Sequence, residues 1–308
     1  MRVLVTGATG FLGLHLCGRL TALGNEVIAL HRKESNTSRI GALGVRPVQA
    51  ELSDLPALRA AVAGCDLVIH AAADIRSRPE RPESQARVNV EGSRNVAQAC
   101  RLESVRRMIH VSSVSAIGIP EDELRPADES FRFNLSGPAY TYHLSKKRAE
   151  EAVLDQIQAG LDAVIVNPGT IFGPYGSGYR GAEFIRGVAH SRVIPCVTGG
   201  RCAVHAGDVV DGIVAAGQRG IRGERYILGG ENVSYRDMAV RSAHALGLRR
   251  WLVPVPQWPL RLFAPARAAN ARFHYYRSDK ARTALGHAPR GFEAIIADCL
   301  SWRPERKH

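Results

Sequence analysis

The chain has 308 residues, of which 45% are hydrophobic and 23% are charged. These proportions are typical of a soluble globular protein, and the length suits one large domain or two closely joined ones. The sequence shows no signal peptide and no apolar run long enough to cross a bilayer. Its six cysteines include no Cys-x-x-Cys pair, which favours reduced thiols over a disulfide framework or a zinc site. We therefore expect a cytoplasmic protein without a membrane span or a bound metal.

The formal net charge of +12 is concentrated late in the chain, where residues 249–308 hold twelve Lys or Arg residues and four acids. A basic region can indicate nucleic-acid binding, but no recognition motif accompanies this one, so we predict no nucleic-acid partner. Two interpretations stay open. One is a solvated basic surface, and the other is attraction of an acidic substrate, such as one bound to a carrier.

The first predicted elements are a strand, a tight turn and a helix. Residues 3–5 form a short apolar run, glycines follow at positions 7, 10 and 13, and leucines recur at helical spacing up to position 23. Gly7 can adopt the backbone angles of the turn, Gly10 has no side chain to obstruct a pyrophosphate, and Gly13 lets the helix pack close to the strand. The free N–H groups and dipole at the helix N-terminus attract phosphate. We predict a dinucleotide-binding turn; the alternative is a structural turn without a ligand.

The second predicted strand, residues 26–30, is followed by His31, Arg32 and Lys33, and no acid occurs before Glu34. In dinucleotide-binding folds an acid at this place binds the adenosine 2′-hydroxyl, whereas an arginine suits a 2′-phosphate. Arg32 can form paired, charged hydrogen bonds with that phosphate. We therefore favour NADP(H) over NAD(H) as the cofactor; the alternative is a solvated basic turn.

Strands and helices alternate through the next part of the chain. Strands are predicted at residues 45–48, 66–73, 106–113 and 162–167, and helices at residues 56–62, 84–100 and 139–159. Asp54 is expected to cap the first of these helices. Such alternation predicts an α/β fold with a Rossmann-type, doubly wound parallel sheet that binds ligands at the carboxyl ends of its strands.

The pattern changes beyond Pro168. We predict a glycine-rich loop at residues 168–178, a short helix at 182–191, a loop around Cys196 and Gly199, helices at 208–218 and from Ser234 to 246, and a strand at 225–228. We expect residues 1–167, with 201–228 returning, to form the NADP-binding domain, and residues 168–200 and 229–308 to form a smaller substrate-binding lid. Apolar residues after position 250, including Trp251 and Trp258, either line a pocket or pack the lid, and packing is the favoured interpretation.

Three polar residues suggest acid–base chemistry at the edge of this sheet. Tyr142 and Lys146 are four residues apart on a predicted helix and so share one face. A free tyrosine has a pKa of about 10, but a nearby ammonium and an oxidised nicotinamide both favour the phenolate. Ser113 ends the adjacent predicted strand, where its hydroxyl can polarise a substrate carbonyl or alcohol. We predict hydride transfer between nicotinamide and substrate carbon, with Tyr142 exchanging the proton.

Over nearly its whole length the sequence resembles the extended (atypical) short-chain dehydrogenase/reductases, the NAD-dependent epimerase/dehydratase superfamily. Within it, the similarity is greatest to the dihydroflavonol-reductase and 3β-hydroxysteroid-dehydrogenase-like branch. The motifs that carry the resemblance are Thr-Gly-Ala-Thr-Gly-Phe-Leu-Gly (6–13), Asn-Val-Glu-Gly (89–92), Val-Ser-Ser-Val-Ser-Ala-Ile-Gly (111–118), Tyr142 to Lys146, Asn-Pro-Gly-Thr (167–170) and Gly-Glu-Arg-Tyr-Ile-Leu-Gly-Gly-Glu-Asn (223–232).

The resemblance implies a set of site residues. The catalytic residues would be Ser113, Tyr142 and Lys146, with Ser112 and Ser115 close enough to be confused with Ser113. The pyrophosphate of the cofactor would contact Gly7, Thr9, Gly10, Phe11, Leu12 and Gly13, and its 2′-phosphate would contact Arg32. The adenine would lie at Glu51 and Leu52, and the adenosine and inner ribose at Ala71, Ala72 and Ala73. Asn89 would lie beneath the active site, Tyr142 and Lys146 at the nicotinamide ribose, and Pro168, Gly169 and Thr170 at the carboxamide.

Three positions depart from the pattern of that superfamily. Glu51-Leu52 stands where Asp and an aliphatic residue are usual, the His-x-Asp-Asp-Val motif loses an acid at residues 205–209, and Gly169 follows the proline of the sixth strand. None of them removes a catalytic group.

Three functions are therefore weighed. The first is an NADPH-dependent ketone reductase, or the reverse alcohol dehydrogenase, for a mid-sized apolar or aromatic metabolite. The second is a nucleotide-sugar epimerase or dehydratase that holds NAD tightly, with lid cations at Arg180, Arg186, Arg192 and Arg201. The third is a non-catalytic NADP-binding regulator, which the intact Tyr142 and Lys146 disfavour. A homodimer is compatible with the sequence.

Overall fold

The computed structural model describes residues 1–75, 82–174, 182–256, 258 and 271–301. Seven parallel strands form the main sheet: β1 (Arg2–Thr6), β2 (Glu26–His31), β3 (Arg46–Gln49), β4 (Leu67–His70), β5 (Arg107–Val111), β6 (Ala163–Pro168) and β10 (Arg225–Leu228). Their order in the sheet is β10-β6-β5-β4-β1-β2-β3. The order reverses between β1 and β4, which is where doubly wound sheets bind ligands. The predicted parallel α/β fold is confirmed.

Helices cover both faces of this sheet because its central strands are apolar on both sides; every residue of β4 and β6 is buried. The α-helices of the described residues are α1 (Phe11–Ala22), α2 (Ser38–Gly41), α3 (Leu55–Val62), α4 (Pro82–Ala86), α5 (Gly92–Leu102), α6 (Thr141–Gln158), α7 (Ala182–His190), α8 (Ala206–Arg219), α9 (Tyr235–Ala245), α10 (Asp279–Leu285) and α11 (Phe292–Ser301). Residues of α1 and α8 pack on one face of the sheet, and residues of α3, α5 and α6 pack on the other.

Two smaller sheets occupy the later part of the chain. One contains β7 (Thr170–Phe172), β9 (Gly200–His205), β11 (Glu231–Ser234) and β13 (Phe273–His274), and the other pairs β8 (Val193–Val197) with β12 (Trp251–Val255). The loops predicted at residues 168–178 and around Cys196 and Gly199 are therefore wrong where β7, β8 and β9 occur, and residues 175–178 lie outside the described ranges. Glycine occurs there because chains approach closely: a Cβ on Gly200 would lie 2.6 Å from Val233 O.

The return of the chain to the main sheet begins later than position 201. β9 pairs with strands of a smaller sheet, whereas α8 packs on the main one. The division into a cofactor domain and a lid stays a prediction.

Two local expectations are confirmed by hydrogen bonds at helix starts. Asp54 Oδ1 accepts from Ala57 N (2.9 Å) at the start of α3, and Ser234 Oγ accepts from Asp237 N (3.0 Å) at the start of α9. The predicted helix at residues 84–100 is interrupted: a π-helical turn, Arg87–Glu91, joins α4 to α5. That turn places Asn89 in the interior, where it is 1% exposed.

The expectation that Trp251 packs the lid is wrong. Its side chain is 78% exposed at the start of β12, and Trp258 is 64% exposed. Residues 259–270, which include other apolar residues of the predicted lid segment after position 250, lie outside the described ranges. Within those ranges no helix is both long enough and apolar enough to span a bilayer. All six cysteines are free thiols.

Candidate active site

The glycine turn leaves an open helix N-terminus at the carboxyl edge of the main sheet. Gly7 has φ +67°, and a Cβ on it would lie 2.8 Å from the Ala72 backbone; a Cβ on Gly13 would lie 2.1 Å from Gly7 O. Gly10 is the N-cap of α1 and supplies no capping side chain. The N–H groups of Phe11 and Leu12 therefore face the turn without a side-chain cap. This cradle fits a pyrophosphate, and Thr9 lies within it.

The predicted adenosine side lies at the ends of β2 and β3. Arg32 is exposed directly after β2, and its backbone N–H donates to Ser35 Oγ (3.2 Å). Glu51 is also exposed, whereas Leu52 packs against α5, since a Cβ on Gly92 would lie 2.9 Å from Leu52 Cδ1. The arrangement leaves the Arg32 guanidinium able to reach a phosphate at the edge of the sheet.

Residues 71–73 leave the sheet beyond β4 rather than extending that strand. Ala72 N donates to Thr6 Oγ1 (3.2 Å), and Thr6 Oγ1 lies 2.7 Å from His70 Nδ1. The tips of β1 and β4 are thereby joined, and Ala71 and Ala73 are half-buried beside the glycine turn. Their small side chains suit the close approach of a nucleoside.

The Asn89 side chain is committed to the protein itself. Its Oδ1 accepts from Asp74 N (2.7 Å), and its Nδ2 donates to Asp74 O (3.0 Å) and to Ser145 Oγ (2.9 Å). The Ser145 hydroxyl in turn donates to Tyr142 O (2.8 Å). These contacts join the loop after β4 to α6, and because both amide hydrogens are used, donation from Asn89 to a cofactor would break one of them.

The Ser113 hydroxyl lies two residues beyond β5. Its Oγ accepts from Ser115 N (3.1 Å), at a turn of 3₁₀ helix (Val114–Ala116) against which α6 packs. This contact uses one of the two acceptor positions of the hydroxyl and leaves its hydrogen able to be donated to a substrate oxygen. Ser112, by contrast, is 6% exposed, so Ser113 is the better placed of the two.

Lys146 is a buried cation on α6, 3% exposed, and its Nζ donates to Val111 O (2.9 Å). Burial lowers its pKa from 10.5 to about 8, while the charge of Glu150 acts in the opposite direction. Tyr142, half-buried, begins the same helical face one turn earlier. The bond to Val111 holds Lys146 at the carboxyl end of β5, two residues before Ser113.

The predicted carboxamide contact lies where β6 ends. Gly169 N donates to Leu228 O (3.1 Å), and a Cβ on Gly169 would lie 2.5 Å from Cys202 O. Glycine therefore replaces the larger residue usual after Pro168 because β9 passes so close. Thr170 begins β7 and is half-buried.

Sequence reasoning missed a polar chain behind Ser113. Glu150, Asn167 and Arg225 are joined by hydrogen bonds and an ion pair that reach the Ser113 backbone. Asn167 stood within a recognised motif, and Glu150 lies four residues after Lys146 on the same face of α6, which is the signal that could have drawn attention to it.

Two residues of the altered His-x-Asp-Asp-Val motif, His205 and Asp208, contact the C-terminal part of the described chain. His205 Nε2 lies 2.7 Å from Asp298 Oδ2, and Asp208 accepts from Arg290 N and Nε (2.9 Å each). These contacts attach α11 and the segment before it to α8.

Of the four lid arginines predicted, Arg180 and the side chain of Arg186 lie outside the described residues. Arg192 is exposed, and the Arg201 guanidinium lies 5.6 Å from the centre of the Tyr235 ring.

A model of the NAD-dependent epimerase/dehydratase family matches residues 3–229 of this chain. The chain belongs to that family. The resemblance inferred from the motifs is thus confirmed, and with it an NAD(P)-dependent enzyme of the extended short-chain dehydrogenase/reductase type.

Several curated relatives of this family member align along nearly the whole chain. Sterol demethylase protein B of Methylococcus capsulatus is 32% identical, with 99% of each chain covered. A protein of Synechocystis sp. named as a dihydroflavonol 4-reductase is 32% identical, with 97% of this chain and 93% of the relative covered. The 4-hydroxy-2-methyl-3-oxo-4-farnesyl-3,4-dihydroquinoline-1-oxide ketoreductase of Stigmatella aurantiaca is 33% identical. The alignment covers 94% of this chain and 92% of that relative.

Solved structures agree with this placement. The crystal structure of gox2253 superposes with a TM-score of 0.85 at 32% identity, covering 98% of this chain and 97% of the other. MoeE5 in complex with UDP-glucuronic acid and NAD superposes with a TM-score of 0.79 at 25% identity, covering 98% of each chain.

Proposed function

We propose that this protein is an NADPH-dependent oxidoreductase that interconverts a ketone and an alcohol on a mid-sized apolar or aromatic metabolite. The observation that carries the proposal is the Lys146 ammonium, buried and bonded to Val111 O beside Ser113, on the helical face that it shares with Tyr142. Relatives named as reductases of dihydroflavonol and of a farnesyl quinoline oxide support a carbonyl substrate of this kind. In this proposal residues 168–200 and 229–308 form the lid over that substrate.

Each of the three side chains has a separate task at the substrate oxygen. The nicotinamide, when bound, supplies or accepts the hydride. The Ser113 hydroxyl donates a hydrogen bond to the carbonyl oxygen, and the Tyr142 phenol transfers its proton to that oxygen as the alcohol forms. The Lys146 ammonium stabilises the phenolate left behind, which regains a proton from solvent. In the reverse direction the same phenolate removes the alcohol proton.

The choice of NADPH rests on Arg32. An exposed guanidinium after β2 suits a 2′-phosphate, and the first acid in this turn, Glu34, follows two residues later. The cofactor-binding roles of the glycine turn, of residues 71–73 and of Pro168 to Thr170 belong to the same proposal.

Turnover of NADPH by the purified protein against a panel of cyclic and aromatic ketones tests this function. We expect oxidation of NADPH that Tyr142→Phe abolishes, while Tyr140→Phe, a change in the neighbouring half-buried tyrosine, retains activity. The proposal fails if no ketone is reduced and Tyr142→Phe behaves as the wild type in every assay.

A nucleotide-sugar epimerase or dehydratase is the second candidate. The observation in its favour is Arg201 on β9, a lid cation next to Tyr235, together with the similarity to MoeE5, which was solved with a nucleotide sugar and NAD. This function predicts NAD that stays bound through purification and conversion of a UDP-sugar without net use of NADPH.

A further inference from the structure

Glu150 is a fully buried carboxylate on α6, 0% exposed. Its Oε1 accepts from Asn167 Nδ2 (2.6 Å), and its Oε2 lies 3.0 Å from Arg225 Nη2, at the start of β10. A buried carboxylate is strongly unfavourable unless it is both paired and hydrogen-bonded. Glu150 therefore has one contact of each kind.

Asn167 links Glu150 to the backbone of the candidate catalytic serine, Ser113. It is buried near the end of β6, and its Nδ2 also donates to Ser113 O (2.9 Å). The same carbonyl accepts from Ala116 N (2.9 Å) in the turn that follows. Two residues earlier, Val111 O is held by Lys146. The backbone of residues 111–113 is thus attached to α6 at both ends.

We propose that Glu150 is a positioning residue of the active site, which fixes the Ser113 backbone through Asn167 and places a negative charge one helical turn from Lys146. The proposal rests on the function given above, because it concerns the placement of Ser113 and Lys146 in that reaction. Glu150 is a buried member of the polar chain and acts on Ser113 through Asn167.

The charges around Lys146 explain why a carboxylate is needed there. His70 on β4 and His110 on β5 both interact with Lys146, and burial lowers the pKa of His70 to about 3 and that of His110 well below 6.5, so both rings are neutral at pH 7. Tyr142, on the same helix, becomes negative only during the reaction. The negative charge of Glu150 raises the Lys146 pKa against the effect of burial.

A neutral amide cannot replace this carboxylate. Asn167 Nδ2 donates to one carboxylate oxygen of Glu150, and the Arg225 guanidinium Nη2 lies 3.0 Å from the other as an ion pair. In Glu150→Gln the new NH₂ group would face either the Asn167 donor or the Arg225 cation. In Glu150→Asp the charge remains, but the shorter side chain cannot reach Asn167. The two variants therefore separate the effect of charge from that of contact.

Activity and hydrogen exchange of the full-length protein test the proposal together. We expect Glu150→Gln to lower kcat about 10- to 100-fold with KM for NADPH nearly unchanged, and to move the alkaline limb of the kcat profile to lower pH. Glu150→Asp and Asn167→Ala should lower kcat while leaving that limb in place. The double variant Glu150→Gln/Asn167→Ala should lose little more than Glu150→Gln alone, since both changes break one contact.

The second readout needs neither cofactor nor substrate. Amide exchange across residues 112–117 should become faster in Glu150→Gln and Asn167→Ala when each is compared with the wild type in the absence of cofactor. Arg132→Gln is the matched control, because Arg132 lines the same 560 Å³ surface cavity as Arg225 but is exposed. Thermal melting identifies any variant that is simply unfolded, and Asn167→Ser then replaces Asn167→Ala.

The proposal is overturned if exchange across residues 112–117 is unchanged in Glu150→Gln, or if its kcat and pH profile match those of Arg132→Gln. Absence of any wild-type turnover would instead count against the proposed function, while the exchange experiment would still decide whether Glu150 holds Ser113 in place.

Discussion

The Nζ atom of Lys146 donates a hydrogen bond of 2.9 Å to the carbonyl oxygen of Val111, tying helix α6 to the end of strand β5. The side chain is 3% exposed. Burial lowers the pKa of this lysine to about 8. The ammonium that the proposed chemistry requires is therefore unfavourable for the folded state. The contribution of Lys146 to turnover and its cost in the free energy of unfolding can be measured separately.

Replacing Lys146 by Met should abolish turnover and make the protein more stable at pH 7. The folded-state pKa, about 8, lies below the ordinary 10.5, so at pH 7 the folded protein bears the whole cost of a buried ammonium. That cost is about 3 kcal/mol. Leaving Val111 O without its donor cancels about 1–3 kcal/mol. We expect a net gain of about 1 kcal/mol in the free energy of unfolding, measured by urea denaturation.

The sign of this effect depends on pH. Between about pH 8 and pH 10.5 the unfolded lysine holds its proton while the folded one releases it, so the wild type gains stability as pH rises through that interval. The advantage of Lys146→Met should shrink accordingly. A variant that is less stable than the wild type by the same amount at pH 7 and at pH 10 would contradict this account.

Gly13 and Gly18 lie on the same helix and should respond to alanine in opposite ways. A Cβ on Gly13 would lie 2.1 Å from Gly7 O, whereas a Cβ on Gly18 would meet Leu43 Cδ2 at 3.8 Å. Gly13→Ala must therefore push α1 away from the turn, which should lower NADPH affinity at least about tenfold and destabilise the protein by about 1–3 kcal/mol. Gly18→Ala should leave affinity unchanged and stabilise the helix by up to about 1 kcal/mol. Fluorescence titration and thermal melting measure both; equal behaviour of the two variants would contradict the packing argument.

Features set by neighbouring residues could be predicted from the sequence. The positive φ of Gly7 and the caps at Asp54 and Ser234 depend on a few adjacent positions, and all three occur as expected. The same holds for the parallel sheet, whose strands alternate with helices along the chain. Tyr142 and Lys146 both lie on α6, as their spacing predicted, and their joint role stays a prediction.

Features that depend on distant parts of the chain could not be predicted in this way. Gly200 directly follows Gly199, where a loop was predicted, but it begins β9 and allows that strand to pass Val233, more than thirty positions away. The contact between Glu150 and Asn167 joins a helix to a strand, and no spacing rule connects them. Trp251 looked like a packing residue because it is large and apolar, yet it is mostly exposed.

Arg32→Ala should reduce selectivity for NADPH. The exposed guanidinium after β2 would lose its paired hydrogen bonds to the 2′-phosphate, while NADH has no group at that position. We expect NADPH affinity to fall about 10- to 100-fold, equivalent to about 1.4–2.8 kcal/mol, with NADH affinity nearly constant. Arg46→Ala, at an exposed arginine on the neighbouring strand β3, controls for the loss of general positive charge. A parallel loss of affinity for both cofactors would remove the basis for preferring NADP.

Buried neutral histidines should make the protein sensitive to acid. Burial lowers the pKa of His70 to about 3 and that of His143 to about 4, and it lowers that of His110 as well. The His70 ring lies between Thr6 Oγ1 (2.7 Å) and Ser93 Oγ (3.0 Å), and Ser93 already donates to Asn89 O. His70 Nε2 must therefore donate to Ser93, and Nδ1 must accept from Thr6, which only the neutral ring can do.

The resulting pH dependence can be assigned to one residue. Because the folded-state pKa of His70 lies below the ordinary 6.5, stability is full above about pH 6.5 and falls as the pH drops towards 3. Between pH 7 and pH 5 this histidine should account for a loss of about 2 kcal/mol in the free energy of unfolding. His70→Gln, whose amide can donate to Ser93 and accept from Thr6, should lose that part of the pH dependence. His244→Gln, at an exposed histidine on α9, should keep it. Urea denaturation of the three proteins at both pH values measures the difference, and an identical pH dependence in all of them would show that His70 takes up its proton equally in the folded and the unfolded protein.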